Sequence, residues 1–152
     1  MRAPDFSLLD DQGQTIALSD VIKKGPVLLA FYPGDFTPVC TTQLCSYRDR
    51  FSEFNNLGIQ IFGISTDPSD SHVKFKEKNK FPFPLLTDPK KKVAKDFGCA
   101  SFFMLGAVSR AVFIVNKNQD IVYKYVEPIA ITHRKPTELL DVVSDLKNKG
   151  LI

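Results

Sequence analysis

The 152-residue sequence has no long hydrophobic run, and no apolar stretch approaches the ~20 residues that a membrane-spanning helix needs. Residues 1–6 lead directly into polar, alternating sequence, which lacks the pattern of a secretory signal. Linkers, repeats and low-complexity segments are absent as well. With 43% hydrophobic and 24% charged residues, we expect one soluble globular domain, 1–152, without membrane association.

Cysteine and histidine are also scarce. The chain has three cysteines and no Cys-x-x-Cys pair. An odd, low count is unlike the even frameworks of small secreted domains, so it predicts free thiols in a reducing, cytoplasmic compartment. The two histidines, His72 and His133, lie far apart without the spacing of metal ligands, and we interpret both as surface residues. We therefore expect no metal ion and no bound cofactor.

The sequence also lacks a segment in which charges of one sign are concentrated. The net charge is +3, and the one run of lysines, Lys90 to Lys92, follows Asp88 and Pro89. These two residues are suited to the N-cap and the first position of a helix. We interpret the lysines as a solvated helix face, and we expect no nucleic-acid partner.

Hydrophobic patterns predict an α/β protein. Continuous or alternating apolar runs predict strands at 27–32, 59–65, 111–115 and 121–126. Helical periodicity predicts helices at 41–57, with Gly58 as the stop, and at 70–79, 90–97 and 136–148. Strands separated by helices and followed by a hairpin indicate a mixed β-sheet covered on both faces.

The segment 31–45 carries the clearest functional signal. Cys40 follows a buried strand and lies where a helix begins, with Thr37 three residues before it and Cys45 five residues after it. Helix N-termini favour thiolates, and a second thiol can react with an oxidised first one. This pattern indicates a sulfur nucleophile. The alternative roles are ordinary ones: Cys40 as a core residue, Thr37 as a helix cap, and Pro33 as a turn residue.

The spacing of Cys40 and Cys45 constrains any disulfide between them. In a regular helix, residues five apart have Cα atoms about 8.7 Å apart. A disulfide needs roughly 4.4–6.8 Å. The two cysteines therefore cannot bond while both lie in one regular helix. Either they never pair, or the helix unwinds first.

Arginine is the natural partner of a thiolate, because its charge is permanent and it has several donors. The candidates are Arg48, Arg50, Arg110 and Arg134. Arg110 leads into the strand 111–115 and could therefore reach a pocket at the sheet edge, although a surface salt bridge is the ordinary alternative. We interpret Cys99 as a core or near-surface residue, with a reserve resolving thiol as the other possibility.

Pro33, Thr37 and Cys40 together resemble the peroxiredoxin active-site motif, Pro-x3-Thr-x2-Cys. The segment 40–49 is similar to the subgroup called peroxiredoxin Q or bacterioferritin comigratory protein. The similarity extends to five more segments in the same order, at 3–8, 18–20, 63–67, 83–88 and 92–98. The resemblance implies a thioredoxin-like fold and a thiol-dependent peroxidase, and our main hypothesis is that this peroxidase is a monomer.

The resemblance also implies the roles of the site residues. Cys40 would be the peroxidatic cysteine and Cys45 the resolving cysteine of the same chain. Thr37 and Arg110 would hold the thiolate and the hydroperoxide, and Pro33 would shield the pocket. Thioredoxin would be the usual reductant. The alternatives are a general thiol–disulfide oxidoreductase, which the absence of a Cys-x-x-Cys pair weakens, and a non-enzymatic redox sensor.

Overall fold

The computed structural model describes residues 1–100, 108–127 and 133–152. Within these ranges, seven strands form one mixed sheet in the order β2-β1-β5-β4-β3-β6-β7. The strands are β1 (Ser7–Leu9), β2 (Thr15–Ala17), β3 (Val27–Phe31), β4 (Gln60–Ser65), β5 (Leu85–Thr87), β6 (Ala111–Val115) and β7 (Ile121–Val126). The helices are α1 (Leu18–Val21), α2 (Pro38–Asp49), α3 (Phe51–Asn56), α4 (Ser69–Asn79), α5 (Lys92–Asp96) and α6 (Pro136–Asn148).

The central strand β3 organises the sheet. It runs parallel to β4 and antiparallel to β6, and all five of its residues are buried. A strand covered on both faces needs apolar side chains at every position, which explains its continuous hydrophobic run. Successive side chains point to opposite faces. Leu28 and Ala30 therefore join one core, while Val27, Leu29 and Phe31 join the other.

The predicted mixed sheet and most of the predicted elements are confirmed. Strands β6 and β7 and helix α6 have the predicted bounds, while β3, β4 and α4 differ from the prediction by one residue at an end. The elements that sequence patterns did not indicate are β1, β2, α1 and β5, which have only three or four residues each. None of the helices in the described ranges is long and apolar enough to cross a bilayer.

The single helix predicted for 41–57 is wrong, because the chain breaks at Arg50. Arg50 has φ −111° and ψ 13°, and its N–H bonds to the carbonyl of Tyr47, which ends α2. The apolar spacing continues across the break because Phe51 and Leu57 pack on the same core as α2. Gly58, with φ +77°, ends α3 as predicted.

The start of α5 also differs from the prediction. The helix begins at Lys92 rather than near Lys90, and its N-cap residue is Lys91, with φ 59°. Asp88 still caps the helix through its side chain, because its carboxylate accepts bonds from the N–H groups of Val93 and Ala94 at 3.3 and 3.0 Å. A carboxylate at a helix N-terminus satisfies unpaired N–H groups. The capping function of Asp88 is confirmed, and its predicted position is wrong.

Candidate active site

The pairing of β3 with β6 creates the site. Phe31 lies opposite Ala111 in this antiparallel pair. The chain leaving β3 and the residue entering β6, Arg110, therefore meet at the same edge of the sheet. Helix α2 begins at this edge with Pro38, and its first turn holds Cys40. Sheet register thus brings together two side chains that are 70 positions apart in the sequence.

Arg110 is the arginine that contacts Cys40. Its Nη1 lies 2.8 Å from the Cys40 Sγ, and the two residues are 4% and 0% exposed. The other three candidates have different partners. Arg48 donates to the carbonyl of Asn79, Arg50 forms an ion pair with Glu53, and Arg134 forms an ion pair with Glu138. Of the four candidate arginines, the structure therefore places Arg110 beside the Cys40 sulfur.

Gln43 belongs to the same cluster, although the sequence analysis did not identify it. Its Oε1 accepts from the same Nη1 of Arg110 at 3.0 Å, and its Nε2 donates to the Tyr47 hydroxyl at 3.2 Å. Gln43 and Tyr47 are fully buried. Burial raises the pKa of Tyr47, so its hydroxyl keeps its proton. Gln43 follows Cys40 by three residues, which places both on one helix face and was the available signal.

Thr37 and Pro33 flank the cluster. Thr37 is the N-cap residue of α2 by position, but its hydroxyl donates to the carbonyl of Gly34 at 3.0 Å and makes no capping bond to the helix. Pro33 is half-buried at the end of β3. The first N–H groups of a helix have no intrahelical acceptor. Those of Val39 and Cys40 therefore remain available to an oxygen atom beside the Cys40 sulfur.

His72 is buried, so its interpretation as a surface residue was wrong. Its Nδ1 lies 2.8 Å from an Asp35 carboxylate oxygen, and its Nε2 lies 3.1 Å from the carbonyl of Leu86. Both side chains of the pair are at most 1% exposed. Each ring nitrogen thus faces an acceptor oxygen, one from a carboxylate and one from a backbone carbonyl. His72 and Phe75 are spaced by three residues on the buried face of α4, which was the missed signal.

Asp35 anchors the loop between β3 and α2. Its carboxylate also accepts from the hydroxyls of Tyr32 at 2.7 Å and Ser71 at 2.8 Å. Its backbone N–H donates to Asp67 at 2.8 Å. Phe36, the next residue, has φ 62° and is exposed. The buried Asp35 contacts hold this loop, and therefore the start of α2, against the sheet.

The two other cysteines have different surroundings. Cys45 lies in α2 with Cys40 and is half-buried. All three cysteines of the chain are free thiols. Burial raises the pKa of Cys45, the charge of Arg48 opposes this shift, and the charge of Asp49 adds to it. Cys99 lies in the core on the opposite face of the sheet from Cys40, which confirms its predicted core position. Burial and then the charge of Asp88 raise the pKa of Cys99 to about 12, against the opposing charge of Lys124.

These observations define a class of protein. A buried cysteine in the first turn of a helix faces an arginine at the edge of a mixed sheet, and a second thiol follows in the same helix. This arrangement is that of a thiol-based redox site. Among the residues in 1–100, 108–127 and 133–152, no group of three or more histidine, cysteine or acidic side chains is placed to hold a metal ion.

The chain belongs to the AhpC/TSA family, whose model matches residues 1–124. It is 34% identical to peroxiredoxin Bcp of Bacillus subtilis, over 97% of this chain and 96% of that protein. It is 40% identical to the chloroplastic peroxiredoxin Q of Oryza sativa subsp. japonica, over 81% of this chain and 56% of that protein. The chain thus spans about half the length of this plant relative.

A solved structure shows the same fold. The crystal structure of peroxidoxin BcpB from Mycobacterium tuberculosis is 31% identical and covers 97% of this chain and 95% of that chain, with a TM-score of 0.84. The thioredoxin-like fold and the similarity to the peroxiredoxin Q and Bcp subgroup are therefore confirmed.

Proposed function

We propose that the protein is a thiol-dependent peroxidase that reduces hydrogen peroxide and organic hydroperoxides, with Cys40 as the peroxidatic cysteine. The Cys40 thiolate attacks the terminal oxygen of the hydroperoxide. The S–O bond forms as the O–O bond breaks, and the leaving oxygen takes a proton to become water or an alcohol. Membership of the AhpC/TSA family and the similarity to proteins named peroxiredoxin support this activity.

The contact between Cys40 and Arg110 is the observation that carries the proposal. A guanidinium 2.8 Å from the sulfur stabilises the negative charge that the nucleophile needs. During the reaction, negative charge moves to the leaving oxygen, and fixed donors around that oxygen lower the barrier. Arg110 and the N–H groups of the first turn of α2 would supply these donors. The Thr37 hydroxyl would join them by turning away from the Gly34 carbonyl, to which it donates in this structure. Pro33 would limit the access of water.

The second half of the cycle uses Cys45 as the resolving cysteine. The Cys45 sulfur displaces hydroxide from the Cys40 sulfenic acid, which with a proton leaves as water, and a Cys40–Cys45 disulfide results. Helix α2 has to unwind locally first, because its regular geometry keeps the two Cα atoms about 8.7 Å apart. A dithiol reductant, for which thioredoxin is our proposal, then reduces the disulfide by thiol exchange.

The organisation around this activity is also a proposal. We infer a single domain over 1–152 that acts as a monomer in the cytoplasm, as a contributor to antioxidant defence and redox homeostasis. The match with peroxiredoxin Bcp over 96% of that protein supports the single-domain organisation. The plant relatives are named chloroplastic, so the compartment needs direct measurement.

Mass mapping after one equivalent of hydroperoxide tests the mechanism. We expect a loss of two hydrogens and a peptide that links Cys40 to Cys45. In Cys45→Ser we expect no intramolecular disulfide, and Cys40 should be oxidised to sulfinic acid when more peroxide is added. An undiminished disulfide in that variant would remove Cys45 from the cycle and leave Cys99 as the candidate.

Two assays separate the peroxidase from the alternatives. A general thiol–disulfide oxidoreductase would reduce insulin faster than it consumes peroxide. A redox sensor would oxidise once, stoichiometrically, even with thioredoxin and its reductase present. We expect sustained peroxide turnover with thioredoxin and negligible insulin reduction.

A further inference from the structure

The C-terminal half of α2, which carries Cys45, is hydrogen-bonded to Asn79 of α4. The Asn79 Oδ1 lies 3.6 Å from the Cys45 Sγ, and the Asn79 carbonyl accepts from the Arg48 Nη1 at 2.6 Å. Cys45 and Arg48 are three residues apart and therefore share a helix face. Two neighbouring side chains of α2 thus contact the same residue of α4. We call these two contacts the Asn79 latch.

The position of Asn79 is itself fixed. Its Nδ2 donates to the carbonyl of Phe75 at 3.0 Å, which leaves Oδ1 to face the thiol as its acceptor. Phe75 is fully buried, so this bond ties the Asn79 side chain to the core. Asn79 is the last residue of α4, and the chain turns immediately afterwards at Lys80, whose φ is 55°. The latch therefore connects α2 to a residue whose own side chain is hydrogen-bonded within α4.

The surroundings of α2 allow the Asn79 latch to control how easily this helix unwinds. The break at Arg50 separates α2 from α3, so α2 can unwind without melting the next helix. A 12-residue helix has little stability of its own and depends on tertiary contacts. Freeing Cys45 to reach Cys40 must break the contact between Cys45 and Asn79. The contact between Arg48 and Asn79 opposes the same motion.

We propose that Asn79 is a positioning residue that sets the rate of local unwinding, and thereby the division of oxidised Cys40 between disulfide and over-oxidation. This inference rests on the proposed function, specifically on Cys45 as the resolving cysteine. In the latched form, Cys40 sulfenate can meet a second hydroperoxide, gain an oxygen and become sulfinate, with release of water or alcohol. In the unlatched form, Cys45 reaches the sulfenic acid, and the disulfide and water form instead.

Asn79→Ala tests the latch because it removes the contact with Cys45 and leaves the backbone carbonyl in place. Rapid quenching with intact-mass analysis would follow sulfenic acid, disulfide and sulfinic acid over time. We expect disulfide formation to accelerate about two- to tenfold, the range for the loss of a hydrogen bond. Peroxide oxidation of Cys40 should keep its rate, and the peroxide dose that gives half-maximal sulfinic acid should rise by a similar factor.

Asn56→Ala is the matched control, because Asn56 is an exposed asparagine at the last position of α3. We expect it to leave all three rates unchanged. If Asn79→Ala does not fold, as judged by circular dichroism, Asn79→Ser provides the same deletion with a polar side chain. The pH profile of the disulfide-formation rate distinguishes faster unwinding from a more reactive Cys45 thiol. If Asn79 controls unwinding, Asn79→Ala should have a higher plateau rate than the native protein and the same midpoint pH.

The outcomes are distinct. Unchanged or slower disulfide formation in Asn79→Ala, or a shifted midpoint with the same plateau, would overturn the latch while leaving the peroxidase intact. A disulfide that persists in Cys45→Ser would overturn the resolving role of Cys45, and the latch with it. A native protein that does not consume hydroperoxide at all would refute the proposed function, and the role of the latch in dividing oxidised Cys40 would fall with it.

Discussion

The two faces of the central sheet each bury one cysteine, and the two differ in what faces the sulfur. Cys40 and Cys99 are 0% and 1% exposed. On the first face, the Arg110 guanidinium lies 2.8 Å from the Cys40 sulfur. On the second face, Cys99 packs in a core that contains Phe6, Phe31 and Phe97, and the charges that shift its pKa are those of Asp88 and Lys124.

The comparison shows that burial alone does not decide whether a thiol can react. Removal from water disfavours the charged form of both groups. At Cys40 an adjacent positive charge and the start of a helix oppose this effect. At Cys99 a carboxylate reinforces it. The first face can therefore hold a nucleophile, and the second face holds an inert side chain.

Replacing each cysteine by serine is the strongest way to break this comparison. We expect Cys40→Ser to lose peroxide consumption by several orders of magnitude, because the nucleophile is removed. Cys99→Ser should retain the native rate within about twofold, since its sulfur does no chemistry. Thioredoxin-coupled peroxide consumption measures both. Residual turnover in Cys40→Ser that disappears in the double variant would show that Cys99 is a second nucleophile.

The sequence could predict the first face in outline, because its signals are local. The run 27–31 and the Pro33, Thr37 and Cys40 spacing indicate a strand followed by a reactive helix start, and both lie in one segment. Arg110 could be named as a candidate because it directly precedes the predicted strand 111–115. The break at Arg50 could not be predicted, because apolar periodicity continues through it while the backbone turns.

Long-range polar contacts account for most of what the sequence did not indicate. His72 was interpreted as a surface residue because a lone histidine carries no local signature. Its burial depends on Asp35, 37 positions away, and on the carbonyl of Leu86. The strand β5, which supplies that carbonyl, has three residues and no periodicity of its own. Only the assembled sheet places these groups together.

His72→Ala sharpens the comparison by removing the buried hydrogen-bond partner of the Asp35 carboxylate from the first face. The Asp35 carboxylate would then lack its imidazole partner in the interior. We expect a loss of about 3–5 kcal/mol in the free energy of unfolding, as for other broken buried pairs. Urea denaturation measures it, with His133→Ala, at the half-buried second histidine, as the control expected within about 0.5 kcal/mol of native. Equal stabilities would show that the pair is not anchored as described.

Neutralising one cation on each face, Arg110 on the first and Lys124 on the second, gives a smaller effect. Arg110→Gln removes the charge beside Cys40 and keeps a polar side chain. We expect the second-order rate constant of Cys40 with hydrogen peroxide to fall about 10²–10³-fold, the range for losing one fixed donor. Lys124→Gln, the matched change on the Cys99 face, should leave that constant unchanged because Lys124 is exposed and acts on Cys99. Comparable losses in the two variants would mean that net charge, rather than contact, controls the rate.

The smallest effect concerns the stability of the second face at alkaline pH. Folding raises the pKa of Cys99 from 9.0 to about 12, so the folded state holds this proton more tightly than the unfolded state. The resulting stabilisation is fully present below pH 9 and is lost as the pH rises toward 12.

Between pH 8 and pH 10, the free energy of unfolding of the native protein should fall by about 1.4 kcal/mol more than that of Cys99→Ala, in which this thiol is absent. Tyrosine, lysine and Cys45 titrate in both proteins, so the difference between the two urea-denaturation profiles isolates Cys99. Parallel profiles would show that Cys99 is more hydrated or less confined than its burial indicates, and the contrast between the two faces would then rest on Arg110 alone.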